Sequence, residues 1–153
     1  MIQENVFLGL GSNMGDRSAM LESAVEHLER VEGLSVVSKS TIIETEPLEN
    51  MPQRNYLNMV VKVVTSLNPS VLLSICLEIE QQHGRTRGKK WASRTIDIDI
   101  LFYGDLQIKE NGLTIPHPEA HVRRFVLGPL AEIAPDFEHP AKKIQIVAML
   151  HAL

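Results

Sequence analysis

Two stretches of helical periodicity, each set between runs rich in β-branched residues, constrain this chain more than any other feature of it. Over residues 18–32 the apolar side chains Met20, Leu21, Ala24, Val25, Leu28 and Val31 recur at three- and four-residue spacing. Asn68-Pro69-Ser70 signals a second helix start, because proline is tolerated in a first helical turn, and Val71, Leu72, Ile75, Cys76 and Ile79 continue at the same spacing. Asp16 or Ser18 can cap the first helix and Gly33 can end it, while Gly84 closes the second. Around these lie the strands. Residues 6–10 form a short apolar run entering the turn Gly11-Ser12-Asn13-Met14-Gly15-Asp16, and residues 34–44 read as one long β-branched strand. Residues 45–54 hold Pro47 and Pro52 and form a loop before a strand over 56–65. Residues 95–103 alternate cleanly as a further strand, which Gly104-Asp105 turns into a short return strand over 106–109. The remainder is proline-rich, then weakly helical over 125–134 and 144–150.

The order is β-α-β-β-α-β with a helical C-terminal extension. It predicts an α+β, ferredoxin-like fold, an antiparallel sheet covered by two helices. A length of 153 residues suits a single domain over 1–153. The formal net charge of −4 gives the whole molecule no attraction for nucleic acid or anionic membranes, so any anion site must be a local patch. No apolar run approaches the roughly 20 residues needed to cross a bilayer. Met1-Ile2-Gln3-Glu4-Asn5 lacks the pattern of a signal peptide, and Cys76 is the only cysteine, which fits a reducing, cytoplasmic setting. An RNA-binding module shares the element order, but it needs exposed aromatics on the central strands and a basic sheet, where this chain has aspartates.

Those aspartates carry the chemistry. On a strand, Asp97 and Asp99 share one face while Ile96, Ile98 and Ile100 share the other. Two neighbouring carboxylates in an apolar strand repel each other and are costly to desolvate, and a divalent cation removes both problems. Mg²⁺ suits them, since it takes one or two carboxylates and leaves its other positions to phosphates and water. Alone, the pattern is equally that of a solvated strand face, and the preceding segment decides between the two. Arg85, Arg87, Lys89, Lys90 and Arg94 fall there without an acidic residue among them. Metal plus arginine clamp is the physical recipe of phosphoryl transfer. A regulatory module without catalysis has no use for that pairing. Trp91, inside the basic loop, reads as a lid that stacks on a flat ligand or as an anchor to the core. Asn58 is out of place in a strand and offers an amide to the edge of a heterocycle. His117 and His121 do not make a zinc site, because no third histidine lies near and prolines flank His117. Neither the G-x-G-x-x-G fingerprint nor a Walker A loop is present, and Cys76 in its apolar stripe reads as core.

Together these residues resemble the 6-hydroxymethyl-7,8-dihydropterin pyrophosphokinase family. Its signature is matched by Lys90-Trp91-Ala92-Ser93-Arg94-Thr95-Ile96-Asp97-Ile98-Asp99-Ile100-Leu101. Gly11-Ser12-Asn13, Thr45-Glu46-Pro47-Leu48, Tyr56-Leu57-Asn58, Glu80 with Gly84-Arg85-Thr86-Arg87, and Pro116-His117 follow the family in order. The resemblance implies a ferredoxin-like enzyme of folate biosynthesis that moves pyrophosphate from ATP to the pterin hydroxymethyl group, leaving AMP. It implies that Asp97 and Asp99 hold two Mg²⁺ ions and that Arg85 and Arg94 clamp the phosphates as catalytic residues. Glu80, Arg87, Trp91, Arg94, Ile100, Thr114, His117 and Arg123 would line the ATP site. Thr45, Leu48, Tyr56, Asn58, Trp91 and Phe125 would form the pterin slot, with Trp91 and Phe125 sandwiching the ring. Leu77, Gly112 and Pro118 depart from the family pattern, standing where some relatives carry polar, basic or aromatic residues. The expected partners are the two small substrates alone, with no nucleic acid or membrane, and the expected state is a monomer. Residues 83–93 and 49–54 are expected to order on substrate binding.

Overall fold

A computed structural model of the chain describes residues 3–46, 55–83, 96–110 and 112–153. At its centre runs β1 (Glu4–Ser12), paired antiparallel with β4 (Tyr56–Thr65) on one side and β5 (Asp97–Tyr103) on the other. β2 (Leu34–Lys39) pairs antiparallel with the far side of β4, giving the order β2-β4-β1-β5. α1 (Arg17–Glu29) links β1 to β2 and α2 (Pro69–Gln82) links β4 to β5, so the arrangement is the split βαβ one.

Both helices start where the sequence signals. Asp16 accepts from the Ala19 amide at 3.1 Å, and Asn68 accepts from the Val71 amide at 2.9 Å with Pro69 in the first turn. α1 stops short of its periodic pattern, at an Arg30 cap, and Gly33 takes the positive φ of the turn that follows. Leu21, Leu28, Leu72, Cys76 and Ile79 pack with Val6, Leu8, Leu10, Val61, Ile98 and Ile100 in one apolar layer.

The C-terminal region is more than an extension. α3 (Arg124–Ile133) and α4 (Ile146–His151) cover the opposite face, where Val126, Leu127, Leu130 and Ile146 pack with Phe7, Val60, Leu101 and Phe102. The sheet is therefore covered on both faces, which explains the near-continuous aliphatic runs in β4 and in the second half of β5.

Two elements differ from the sequence expectation. The long strand over 34–44 is broken into β2 and β3 (Ile43–Thr45), both paired with β4. Hydroxyl groups make the break. Ser40 Oγ accepts from the Val60 amide at 2.9 Å, and Glu132 of α3 accepts from the Thr41 amide and hydroxyl at 2.9 and 2.8 Å. The return strand does not pair with β5. Gly104 (φ 53°) turns the chain away, and β6 (Ile108–Glu110) pairs with β7 (Leu113–Ile115) in a separate hairpin.

Candidate active site

Directly opposed residues on antiparallel neighbours project from the same face. Gly11 opposes Asp97 and Gly9 opposes Asp99. Across β1, Gly11 opposes Asn58 and Gly9 opposes Val60, and Asn58 in turn opposes Ile43. Asp97 and Asp99 thus stand on the α3 side of the sheet beside two positions with no side chain. A Cβ at Gly11 would lie 2.7 Å from Asn58 Oδ1, so the amide occupies space that only glycine leaves. Asn58 is nearly buried and donates through Nδ2 to Thr45 Oγ1 at 2.6 Å. Tyr56 opposes Thr45, and burial, then the charge of Asp97, raises its phenol above the ordinary value of 10.0. Arg17 holds the ends of this hairpin together, bonding Glu44 at 2.7 Å and the Asn55 carbonyl at 2.8 Å.

The other side of β5 is held by α2. Glu80, 5% exposed, accepts from the Ile98 amide at 2.8 Å, midway between the two aspartates along the chain. Ile100 lies on that same side, within the α1/α2 layer. Cys76 sits one helical turn before Glu80, and burial, then Glu80 and Asp99, push its thiol up to about 12. The buried thiol therefore stays protonated at neutral pH.

His117 is fixed at the end of β5, its amide donating to the Leu101 carbonyl at 2.9 Å. Burial holds its imidazole below the ordinary 6.5; Asp99 pulls it back, Arg123 lowers it further, and Glu119 opposes Arg123. The neutral ring accepts from the Glu119 amide at Nδ1, 3.2 Å away, which leaves its hydrogen on Nε2. Arg123 pairs with Glu119 and lies 5.5 Å from the centre of the Phe125 ring. Thr114 stands in β7, opposite Lys109.

Asp97, Tyr56, Asn58 and Thr45 are thus brought together on one face, and the charges of Asp99 and Arg123 both act on His117. Glu80 and Ile100 lie across β5 from them, and Thr114 and Phe125 hold flanking positions. Leu48, Arg85, Arg87, Trp91 and Arg94 lie outside the described residues, as do 49–54 and all of 83–93 except His83. Sequence reasoning missed the roles of Gly9 and Gly11, although alternate glycines inside an otherwise aliphatic strand are a signal that another group comes close.

Residues 7–135 match the 7,8-dihydro-6-hydroxymethylpterin-pyrophosphokinase (HPPK) family. The 2-amino-4-hydroxy-6-hydroxymethyldihydropteridine pyrophosphokinase of Methylorubrum extorquens is 48% identical over 130 residues, covering 85% of this chain and 82% of that protein. The Bacillus subtilis protein of the same name is 43% identical over 135 residues, covering 88% and 81%. Among solved structures, a wild-type Plasmodium falciparum HPPK-DHPS superposes with a TM-score of 0.76 at 16% identity over 99% of this chain. The chain spans only 45% of that longer structure, and the likeness shows the fold. Fold and site together define an α+β protein of the split βαβ class with a carboxylate pair on an open sheet face. The chain belongs to the HPPK family.

Proposed function

We propose that this chain transfers pyrophosphate from ATP to the hydroxymethyl group of 6-hydroxymethyl-7,8-dihydropterin, yielding AMP and the pterin diphosphate for folate biosynthesis. The observation that carries this is the row Asn58–Gly11–Asp97, which sets an amide suited to a heterocycle beside a carboxylate, over bare backbone. Asn58 spends one N–H on Thr45 and keeps Oδ1 and its second N–H for a pterin edge. The Thr45 hydroxyl, accepting that bond, is free to donate its own hydrogen. Tyr56 and Leu48 would extend the slot, and Phe125 with Trp91 would cover the ring faces.

The donor set fits Mg²⁺. Among the described residues no cluster of three or more His, Cys, Asp or Glu encloses a metal, while two carboxylates on an open face leave room for phosphate oxygens and water. Asp97 and Asp99 would hold two such ions, which when bound neutralise polyphosphate charge. ATP would straddle the edge of β5. Its nucleoside would lie toward Glu80, Ile100 and Thr114, and its phosphates would meet His117, Arg123 and the guanidinium groups of Arg85, Arg87 and Arg94. These groups orient the hydroxymethyl oxygen in line with the β-phosphorus and hold the departing charge, so no covalent enzyme intermediate is needed. Residues 1–153 act as one catalytic domain, a cytoplasmic monomer.

The test is to incubate the protein with Mg²⁺-ATP and the pterin and to separate the nucleotides. AMP formed in step with a diphosphorylated pterin is the expected result. ADP with a monophosphorylated pterin overturns the pyrophosphoryl assignment, and nucleotide turnover independent of the pterin overturns the substrate.

A further inference from the structure

β3 is three residues long and, among the described residues, pairs with β4 alone. So short a strand has few ladder bonds and orders itself weakly. Yet it carries Thr45, whose Oγ1 accepts from Asn58 Nδ2 at 2.6 Å and so fixes which way that amide faces. Whatever holds the Thr45 end of β3 against β4 therefore also orients Asn58.

Arg17 supplies that hold from outside the sheet. It is the first residue of α1, directly after the Asp16 cap, and no acidic residue shares that first turn. A positive charge there opposes the helix dipole, so the helix gains nothing from it. The guanidinium crosses to the hairpin instead. A single nitrogen, Nη1, donates to Glu44 Oε2 at 2.7 Å and to the Asn55 carbonyl at 2.8 Å. Thr45 and Tyr56 are the last opposed pair of the β3–β4 ladder. Glu44 lies one step inward from that pair along β3, and Asn55 one step outward along the chain entering β4. The two hydrogens of one planar nitrogen thus bracket the pair and set the spacing of the strands beside it. The Arg17 side chain is 20% exposed and that of Glu44 52%, so the ion pair adds little to global stability. Its effect is local, on the fraying of one hairpin end.

We infer that Arg17 is a positioning residue for the heterocycle slot, holding Thr45 and Tyr56 in register so that Asn58 is oriented before substrate arrives. The inference rests on the pterin reading above, and it gives Arg17 no contact with either substrate. Pre-ordering the slot reduces the freedom lost on binding. A slot correctly formed in only a fraction of molecules binds more weakly by that fraction.

Arg17→Met removes both bonds and keeps an apolar stem. At saturating Mg²⁺-ATP its pterin KM should rise roughly tenfold, the worth of about one charge-assisted hydrogen bond. Its kcat at saturating pterin, its KM for ATP and its thermal midpoint should stay near the parent values. Arg17→Lys keeps a charged donor and should recover part of the loss. Glu44→Gln keeps an acceptor for Nη1 and should stay within about twofold of the parent. A second readout needs no substrate. The side-chain amide signals of Asn58 in the free, ¹⁵N-labelled protein should shift and exchange faster with water in Arg17→Met, but not in Glu44→Gln. Unchanged Asn58 signals in Arg17→Met overturn the inference. So does a lower thermal midpoint with no change in pterin KM, a fall in kcat as large as the rise in KM, or an equal loss in Glu44→Gln. Nucleotide turnover by the parent that ignores the pterin overturns the functional reading instead, and the Asn58 signals then still decide whether Arg17 orients the amide.

Discussion

Under α1 and α2, β1 and β5 present Leu8, Leu10, Ile98 and Ile100, all nearly inaccessible to solvent. On the reverse of the same strands, the same stretch presents Gly9, Gly11, Asp97 and Asp99. The aliphatic face buries enough surface to hold the strands in register. The other face can then carry a like-charged pair beside positions with no side chain, neither of which favours a sheet by itself. Even that second face is divided, since Phe7, Val60, Leu101 and Phe102 lie under α3 and α4 while Asn58 and Asp97 lie at its open end. Stability and chemistry are thus separated by the alternation of side chains along a strand.

That separation can be broken by substitution. Asp97→Asn or Asp99→Asn should lower kcat/KM by about a thousandfold, roughly 4 kcal/mol of transition-state stabilisation, with the thermal midpoint unchanged or raised as repulsion is relieved. AMP release and calorimetry on the same sample measure both, and near-normal turnover at ordinary Mg²⁺ would sink the metal assignment. Leu8→Ala, on the opposite face, should do the reverse. It should cost about 2–5 kcal/mol of stability by denaturant unfolding and leave kcat nearly unchanged at temperatures where the variant stays folded. A large kcat defect there would mean that the two faces are coupled.

Glu80 sharpens the comparison, because it bonds the backbone between the two aspartates from the apolar side. Glu80→Leu strands a buried amide and should cost about 1–3 kcal/mol of stability, with a roughly tenfold fall in kcat/KM. Glu80→Gln keeps an acceptor for Ile98 and should recover most of both. If the glutamine variant is as slow as the leucine one, the charge matters more than the hydrogen bond. The smallest effect concerns pH. His139 has a folded pKa below the ordinary 6.5, so its contribution to stability is present above pH 6.5 and is lost as pH falls toward the folded value. His139→Asn places Oδ1 where Nδ1 accepted the Ala141 and Lys142 amides and removes the titration. The thermal midpoint of the variant should therefore fall less steeply below pH 6.5, and an unchanged slope would exclude His139 as a source.

Much of this was legible in the sequence, because the first two helices carry their own caps and stripes and the first half of β5 alternates Asp with Ile. The carboxylate pair and Asn58 stood out in the sequence because each is a residue type at odds with its neighbours, and His117 because Arg123 is close to it. What escaped were features set by contacts remote in sequence. The break at Ser40 and Thr41 depends partly on Glu132, 91 residues from Thr41. The β6–β7 hairpin was mistaken for a return strand although Asn111-Gly112 is itself a hairpin dipeptide. That α3 and α4 form a full layer shows only once Phe7, Val60 and Phe102 are seen to need a cover.

Among the described residues β5 lies at the rim of the sheet, paired with β1 alone. Such a rim, carrying Ile98, Ile100, Leu101 and Phe102, is an invitation to self-association through backbone pairing with a second molecule. Glu80 occupies the Ile98 amide and the His117 amide occupies the Leu101 carbonyl, while Asp97 and Asp99 place negative charge along the same strand. The groups read here as metal ligands and tether are therefore also gatekeepers against aggregation.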